Sequence, residues 1–381
     1  MPQTKTTQIK EITRHIPENV SCTLWARAAG RCQFAGCNRL LYKSTLTQDQ
    51  VNLAEKAHIY AFSKTWTRGW GSLSKKQING IGNLLLVCHD CHKIIDKDAL
   101  KFPAELLQTW KDEHETRVQL VTGISPDKRT HVLLYKAKIG DKATLLTELD
   151  TKLALFPKRY PASERATTLH MNWAAEDHTP NYWTQEQLNL ESEFKSKVVP
   201  LFQDSTIQHF SVFGFAPMPL LINLGTLLSD KIVADVYQLR KEPQTWQWAE
   251  EAAPVQFRIT KPTDTTLPPV IVIALSSVID ASRIHKVLGS KVAIWQITID
   301  KPHNDFLKTQ DQLCTFREHM RLLLGEVEAT HGKTTRISIF PAMPVACAIE
   351  LGRIRSSKAT NPWTVYDHNW KLEGFAKALD L

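Results

Sequence analysis

No apolar run in this 381-residue chain approaches the roughly 20 residues that a membrane-spanning helix requires. The longest aliphatic stretch, around residues 270–275, is broken by Ser276 and Ser277, so no membrane helix is expected. The opening segment MPQTKTTQIKEITRHIPENV is polar and has no apolar h-region, which leaves no secretory signal and makes the cytosol the expected compartment. Cysteine is sparse, with 7 residues, and the count is odd. In a reducing compartment, clustered cysteines of odd number suggest metal ligands rather than a disulfide framework. Low-complexity tracts are absent as well. A composition of 43% hydrophobic and 23% charged residues excludes wholesale disorder and provides for one or two packed cores.

Charge is uneven along the chain. Residues 1–125 hold 17 basic against 11 acidic side chains, whereas the remainder holds 30 against 28. A basic segment of this kind suits a polyanionic partner, because Lys and Arg that neutralise phosphates release counterions on binding. A solvated basic surface with no such partner explains the same numbers.

The stretch PAELLQTWKDEHETRVQLV reads as a helix opened by Pro103, and the turn formers Gly123-Ile-Ser-Pro-Asp-Lys-Arg follow it. A boundary is expected there, giving domains at 1–122 and 131–381 with 123–130 as linker. Beyond it, short β-branched runs such as HFSVFGF, PPVIVIALS, KVAIWQITI and TRISIF alternate with longer amphipathic stretches, the pattern of a mostly parallel sheet covered by helices. Two segments in this region resemble each other, FSVFGFAPMPLLINLG at 210–225 and ISIFPAMPVACAIELG at 337–352. Each has an apolar strand ending in Phe, then Met-Pro, then an aliphatic run to Leu-Gly. Either common apolar residues coincide, or two similar Rossmann-like halves share a pocket beyond the carboxyl ends of their strands.

The N-terminal part carries the chemistry. Cys32-x4-Cys37 and Cys88-x2-Cys91 have the spacing of two knuckles closing one tetrahedral zinc site. Four thiolates leave no open position, so such a site is structural. Cys22, Cys314 and Cys347 lack such partners and read as small apolar fillers. Between and beside the knuckles lie Ala57-His58-Ile59, Asn83 opening GNLLLVCHDCHKIID, and His92 four residues before Asp96. That i, i+4 spacing places an imidazole and a carboxylate on one helix face, where they can share one cation. The loop from Lys64 through Trp66, Arg68 and Trp70 to Lys75 and Lys76 combines cations with indoles. It suits either tracking a phosphate backbone or anchoring by buried rings. No base-reading recognition helix is visible, so little sequence specificity is expected.

In this order, these motifs resemble an HNH endonuclease of the ββα-metal type with a supporting zinc site, over residues of about 25–115. The resemblance implies an α+β nuclease domain in which His58 is the general base, Asn83 holds the loop that orients it, and His92 with Asp96 holds a catalytic divalent ion, Mg²⁺ or another. Arg68, Lys75 and Lys76 are the expected contacts to double-stranded DNA. Many members of that family place an Asp or His ligand directly before the base; here the residue is Ala57, so the ion either has only two protein ligands or takes a third such as Glu55.

From about residue 130 onward the chain resembles SAVED domains, α/β sensor modules of two fused CARF-like Rossmann units. The resemblance rests on HFSVFGFAPMPLLINLG, RKEPQTWQW, ISIFPAMPVACAIELGR and NPWTVYD. An HNH domain followed by SAVED is similar to effector endonucleases of cyclic-oligonucleotide-based antiphage signalling (CBASS). This implies a cyclic di- or trinucleotide as activating ligand and a homo-oligomer, dimer to tetramer, on activation. A pocket for such a ligand needs cations and flat apolar walls. The candidates are Phe213, Met218, Pro219, Tyr237, Arg240, Trp246, Phe340, Met343, Pro344, Arg353, Lys358, Trp363 and Tyr366. Two other readings remain open: an HNH restriction enzyme directed to modified DNA, and a non-catalytic zinc-ribbon regulator that binds nucleic acid.

Overall fold

A computed structural model describes residues 15–61, 67–69, 73–136, 147–171, 181–203, 207–355, 361–369, 371 and 373–381. The chain divides into two compact units between Ser125 and Pro126. No helix among the described residues is long and apolar enough to cross a membrane.

The first unit runs α1 (Glu18–Arg27), β1 (Ala54–His58), α2 (Lys75–Ile78), β2 (Leu84–Cys88), α3 (His89–Lys97) and α4 (Ala104–Thr122). β1 and β2 pair antiparallel with Ala54 opposite Cys88 and His58 opposite Leu84, and α3 begins directly after β2. β2 is buried along its whole length, which accounts for the unbroken LLLVC. α4 carries Leu107, Lys111 and His114 on its buried face, and Pro103 sits at its N-cap rather than at its first helical position.

The second unit runs β3 (Arg129–Lys136), α5 (Glu148–Leu155), β4 (Tyr160–Pro161), β5 (Thr167–His170), α6 (Tyr182–Lys197), α7 (Val199–Gln203), β6 (Phe210–Phe215), α8 (Met218–Leu228) and β7 (Ala234–Tyr237). A small hairpin of β8 (Arg240–Lys241) and β9 (Gln244–Thr245) follows. The chain continues through β10 (Phe257–Thr260), β11 (Pro269–Ala274), α9 (Ala281–Leu288), β12 (Ala293–Ile299), α10 (Gln310–His331), β13 (Ile337–Ala342), α11 (Val345–Ile354), β14 (Trp363–Asn369) and β15 (Gly374–Asp380). One parallel sheet has the order β4-β3-β6-β7, with β5 also on β3. The other has the order β10-β12-β11-β13-β14-β15, parallel except at its two edges. β11 is central and buried throughout, so it must be apolar on both faces; this is the longest aliphatic run of the sequence. β12 keeps the alternation of a strand with one buried face.

The two halves meet where α8 lies on α11. A Cβ on Gly225 would come within 2.0 Å of the Ile349 carbonyl oxygen, and one on Gly352 within 1.9 Å of that of Ile222. The Leu-Gly ending each copy of the repeat is therefore the point where two backbones touch, and only glycine fits there. Other features recur in both halves. Phe213 stacks on Tyr237 at 4.4 Å and Phe340 stacks on Tyr366 at 4.4 Å. Pro217 and Pro344 are the N-caps of α8 and α11. The copies thus align on Ala216-Pro217 with Met343-Pro344, at the offset that segments 210–225 and 337–352 have in the sequence.

At the amino ends of β3, β6 and β7 lies a buried polar cluster. Thr130 Oγ1 is 2.8 Å from His209 Nδ1 and 2.9 Å from Ser211 Oγ. His209 Nε2 is 3.4 Å from Asp235 Oδ2, and Arg159 Nε donates to that oxygen at 2.7 Å. Burial by itself would raise the Asp235 carboxyl, but the hydrogen bonds and charges of His209 and Arg159 outweigh it and hold the group at about 2.

Candidate functional site

The first unit sets its chemistry along the β1–β2 pair, with Cys88 at the end where it faces Ala54 and His58 at the other, facing Leu84. Cys32 and Cys37 sit in the loop after α1, while Cys88 is the N-cap of α3 and Cys91 lies in its first turn. All four sulfurs fall within 4.8 Å of one another, and Cys37 Sγ is 4.0 Å from Cys88 Sγ. A tetrahedral zinc with Zn–S of about 2.3 Å requires sulfurs about 3.8 Å apart, so the residues fit a zinc ion. Burial pushes the Cys32 thiol up to about 12 and raises that of Cys91, so a cation is what lets these groups sit together as thiolates. Gln33 reinforces the knuckle: its backbone N–H donates to Leu86 O and its side-chain oxygen accepts from Leu86 N, both at 2.8 Å. Sequence reasoning gave no sign of Gln33, because a buried glutamine has no spacing rule. Of the remaining cysteines, Cys347 is a buried filler as expected, but Cys22 and Cys314 are exposed.

Asn83 is buried and spends its whole amide on the backbone. Its Oδ1 accepts from Tyr60 N at 2.7 Å, and its Nδ2 donates to Tyr60 O at 3.1 Å and to Ile78 O at 2.9 Å. One side chain therefore fixes the exit of β1 just past His58 and the end of α2. His58 is partly exposed at that exit, with Nε2 3.0 Å from Asn79 Oδ1.

On α3, Cys91 and Ile95 face the core, while His92 and Asp96 face outward one turn apart. His92 Nε2 is 3.5 Å from Asp96 Oδ2, a separation suited to two ligands on one ion. Glu55 Oε2 lies 4.0 Å from the other ring nitrogen, Nδ1, and Glu55 Oε1 lies 3.4 Å from His89 Nδ1. Were Asp96 and Nε2 to hold an ion, Nδ1 would carry the proton and face Glu55.

Arg68 corrects an expectation. Its side chain is buried; it donates to Ile95 O at 3.4 Å, to Phe102 O at 3.2 Å and to Asp96 Oδ1 at 3.3 Å. With its donors turned inward it cannot track a phosphate backbone, and it instead orients Asp96 so that Oδ2 faces His92. Burial lowers the pKa of the guanidinium, partly opposed by Asp96. Lys75 and Lys76 are exposed on α2, the short helix that ends at Asn79. Trp66 and Trp70 lie outside the described residues.

In the second unit most of the expected pocket residues are core. Phe213, Pro219, Tyr237, Trp246, Phe340, Met343, Pro344, Trp363 and Tyr366 are buried. Aromatics on strands covered on both faces stack on each other, as Phe213 does with Tyr237 and Phe340 with Tyr366. Arg353 is locked as well, bonding Glu350 and donating to the carbonyls of Ser229, Ile232 and Ala234. Met218 and Arg240 stay partly exposed, and Lys358 lies outside the described residues. Ser276 and Ser277 follow the carboxyl end of β11, and Gln238, just after β7, accepts from Ala346 N at the start of α11 at 3.1 Å.

Residues 32–102 match the HNH endonuclease family, and residues 190–381, just over half of the chain, match the SMODS-associated and fused to various effectors sensor domain, SAVED. Among curated protein sequences none matches. Solved structures similar to the chain include the Cap4 SAVED/CARF-domain containing receptor of Acinetobacter baumannii with the cyclic trinucleotide 2'3'3'-cAAA, at 10% identity and TM-score 0.43, covering 81% of this chain and 62% of the receptor. The same receptor with 3'3'3'-cAAA shows 10% identity and TM-score 0.42 over 82% of this chain and 67% of that one. The Moraxella osloensis Cap4 receptor shows 10% identity and TM-score 0.35 over 57% and 48%. The chain thus spans about three fifths of the first receptor's length, and likenesses this loose place no individual residue. The matches to the chain itself are the informative ones: the first unit is an HNH endonuclease domain, and the chain belongs to the SAVED sensor-domain family.

Proposed function

We propose that the chain is a nuclease effector switched on by a cyclic oligonucleotide, acting in CBASS-type antiphage signalling and cleaving double-stranded DNA with little sequence preference. The observation that carries this is the ββα arrangement of the first unit, with His58 at the end of β1 and His92 and Asp96 on α3, joined to a SAVED sensor domain. His58 takes a proton from water, and Asn83 holds the backbone that presents it. General-base assistance of this kind contributes about 10²–10⁴-fold. His92 and Asp96 would hold a divalent ion, which when bound neutralises charge developing on the scissile phosphate. A donor set of one imidazole and one carboxylate admits Mg²⁺ and also Mn²⁺ or Ni²⁺. Lys75 and Lys76 supply cations for the DNA backbone near the base.

The messenger site is proposed beyond the carboxyl ends of β6, β11 and β13, where the strand order of the second sheet reverses between β11 and β13. Ligand binding there shifts the population toward an assembled, active state, dimer to tetramer. A change from 1:99 to 99:1 needs about 5.5 kcal/mol of differential affinity. The His58→Ala variant tests the nuclease reading: on plasmid DNA with Mg²⁺ and a panel of cyclic di- and trinucleotides it should lose at least about 100-fold in cleavage rate and still bind the activating nucleotide. Retention of a tenth or more of the parent rate would remove His58 from the base role.

A further inference from the structure

The described arginines of the first unit are spent on the chain itself. Arg27 pairs with Glu115, Arg39 with Asp90 and Arg68 with Asp96, while Arg31 and Arg117 donate to the backbone and side-chain oxygens of Asn38. A phosphate backbone must therefore be met by lysines. α3 carries two, Lys93 and Lys97, both exposed and, among the described residues, paired with no acid. Asp98, the acid that follows them, accepts from Lys101 N at 3.0 Å instead. At about 100° per residue the helix sorts its side chains into stripes. Cys91 and Ile95 face the core, His92 and Asp96 come next, Lys93 and Lys97 follow them round the helix, and Ile94 lies beyond, 46% exposed. Lys93 and Lys97 are one turn apart, a like-charged i, i+4 pair of the kind that weakens a helix. The helix dipole favours a cation in the last turn, which accounts for Lys97 and leaves Lys93 without a structural reason. Just past the helix Leu100 is 83% exposed, and Lys101 Nζ lies 5.7 Å from the Phe102 ring centroid. Apolar side chains among free cations suit a partner that alternates charge with apolar surface, as a nucleic-acid strand does with phosphate and sugar.

We infer that this face of α3 carries the DNA strand: Lys93 and Lys97 bind phosphates next to the one engaged at His92 and Asp96, and Ile94 with Leu100 lies against the sugars between them. This rests on the reading of the first unit as a DNA-cleaving nuclease. Each lysine follows one of the two ion-ligand candidates by a single residue, so a strand seated on the lysines passes beside the ion. Neither kind of contact touches a base edge, so the face takes any sequence. The lysines also fill the role that Arg68, buried against Asp96, cannot.

The test measures binding of a labelled DNA duplex by the full chain without Mg²⁺, over a salt series and with each of a panel of cyclic di- and trinucleotides. Each phosphate contact releases counterions, so log K falls with log salt by about 0.9 per contact. Lys93→Gln combined with Lys97→Gln should make that slope shallower by about 2. Mn²⁺ affinity, read by electron paramagnetic resonance, and zinc content should match the parent's, because neither lysine bonds an ion ligand. Leu100→Ser should instead weaken DNA binding by about 10-fold, the loss of part of a buried leucine, and leave the slope unchanged. A lysine double variant whose slope matches the parent's, or whose Mn²⁺ affinity falls together with its DNA affinity, overturns the proposal, and so does a Leu100→Ser variant that binds as tightly as the parent. If the parent binds DNA and the double variant shows the expected loss, but no DNA is cleaved under any condition, the contact stands and the nuclease reading fails. A parent that binds no DNA at any salt removes both.

Discussion

At the scale of single residues, Arg68 separates two accounts of the nuclease unit. A DNA-contacting Arg68 would affect the salt dependence of DNA binding, whereas one buried against Asp96, as here, should act on the metal. Arg68→Met should weaken Mn²⁺ binding, read by electron paramagnetic resonance, by about 10- to 100-fold, the usual cost of losing a partner that orients a ligand. Its salt slope for DNA should match the parent's; an unchanged Mn²⁺ affinity with weaker DNA binding would return Arg68 to the phosphate backbone. The contrast shows what residue types disclose. Cys32, Cys37, Cys88, Cys91, His92 and Asp96 could be grouped from spacing because thiolate knuckles and an i, i+4 ligand pair impose fixed intervals. Arg68, Asn79 and Gln33 act through contacts made across the fold, and no interval marks them. The aromatic candidates are ambiguous for a related reason: Phe213, Tyr237, Phe340 and Tyr366 have the composition of a base-stacking wall, and also that of a core in which rings stack on one another, as they do here.

At the scale of elements, the α8–α11 contact and the Asp235 cluster each support a prediction. Gly225→Ala would place a methyl 2.0 Å from Ile349 O, and Gly352→Ala one 1.9 Å from Ile222 O. Since backbone rather than a flexible side chain must move, each substitution should cost about 3 kcal/mol or more in denaturant unfolding. The double variant should cost less than the sum, because helices parted by the first methyl have room for the second. Additive losses would mean that the two glycines do not share one contact. Asp235 makes stability depend on acid. Its carboxyl sits at about 2 in the folded chain against an ordinary 3.8. A depressed carboxylate stabilises the fold above its unfolded value and loses that contribution as pH falls through the folded one, here between about pH 4 and pH 2. The contribution is on the order of 2 kcal/mol. Asp235→Asn should therefore be less stable than the parent at neutral pH and show a flatter decline over that window in chemical denaturation. The same steepness in both proteins would assign the acid sensitivity elsewhere. The repeat behind the α8–α11 contact was visible in the sequence because Gly-on-Gly contact requires the same residue on both sides. Setting 210–225 on 337–352 equates the N-cap prolines Pro217 and Pro344, as the fold does.

At the scale of the molecule, the chain joins two units with separate tasks, a hairpin-and-helix nuclease and a doubled α/β sensor. The alternation of strands and helices after residue 130 follows from burying a parallel sheet on both faces, so the architecture could be read from hydrophobic pattern alone. The proposed messenger pocket could not, because loops at strand ends follow no period. Of the two other readings, a restriction enzyme directed to modified DNA would cleave without any nucleotide, and a zinc-ribbon regulator would not cleave at all. The measurement that tests the central claim most directly is plasmid cleavage by the purified chain with Mg²⁺, with and without each of a panel of cyclic di- and trinucleotides, following mass by light scattering in the same samples. The account predicts that one nucleotide brings on cleavage and a rise in mass together, with neither in its absence. Cleavage at full rate without any nucleotide, at constant mass, would contradict it.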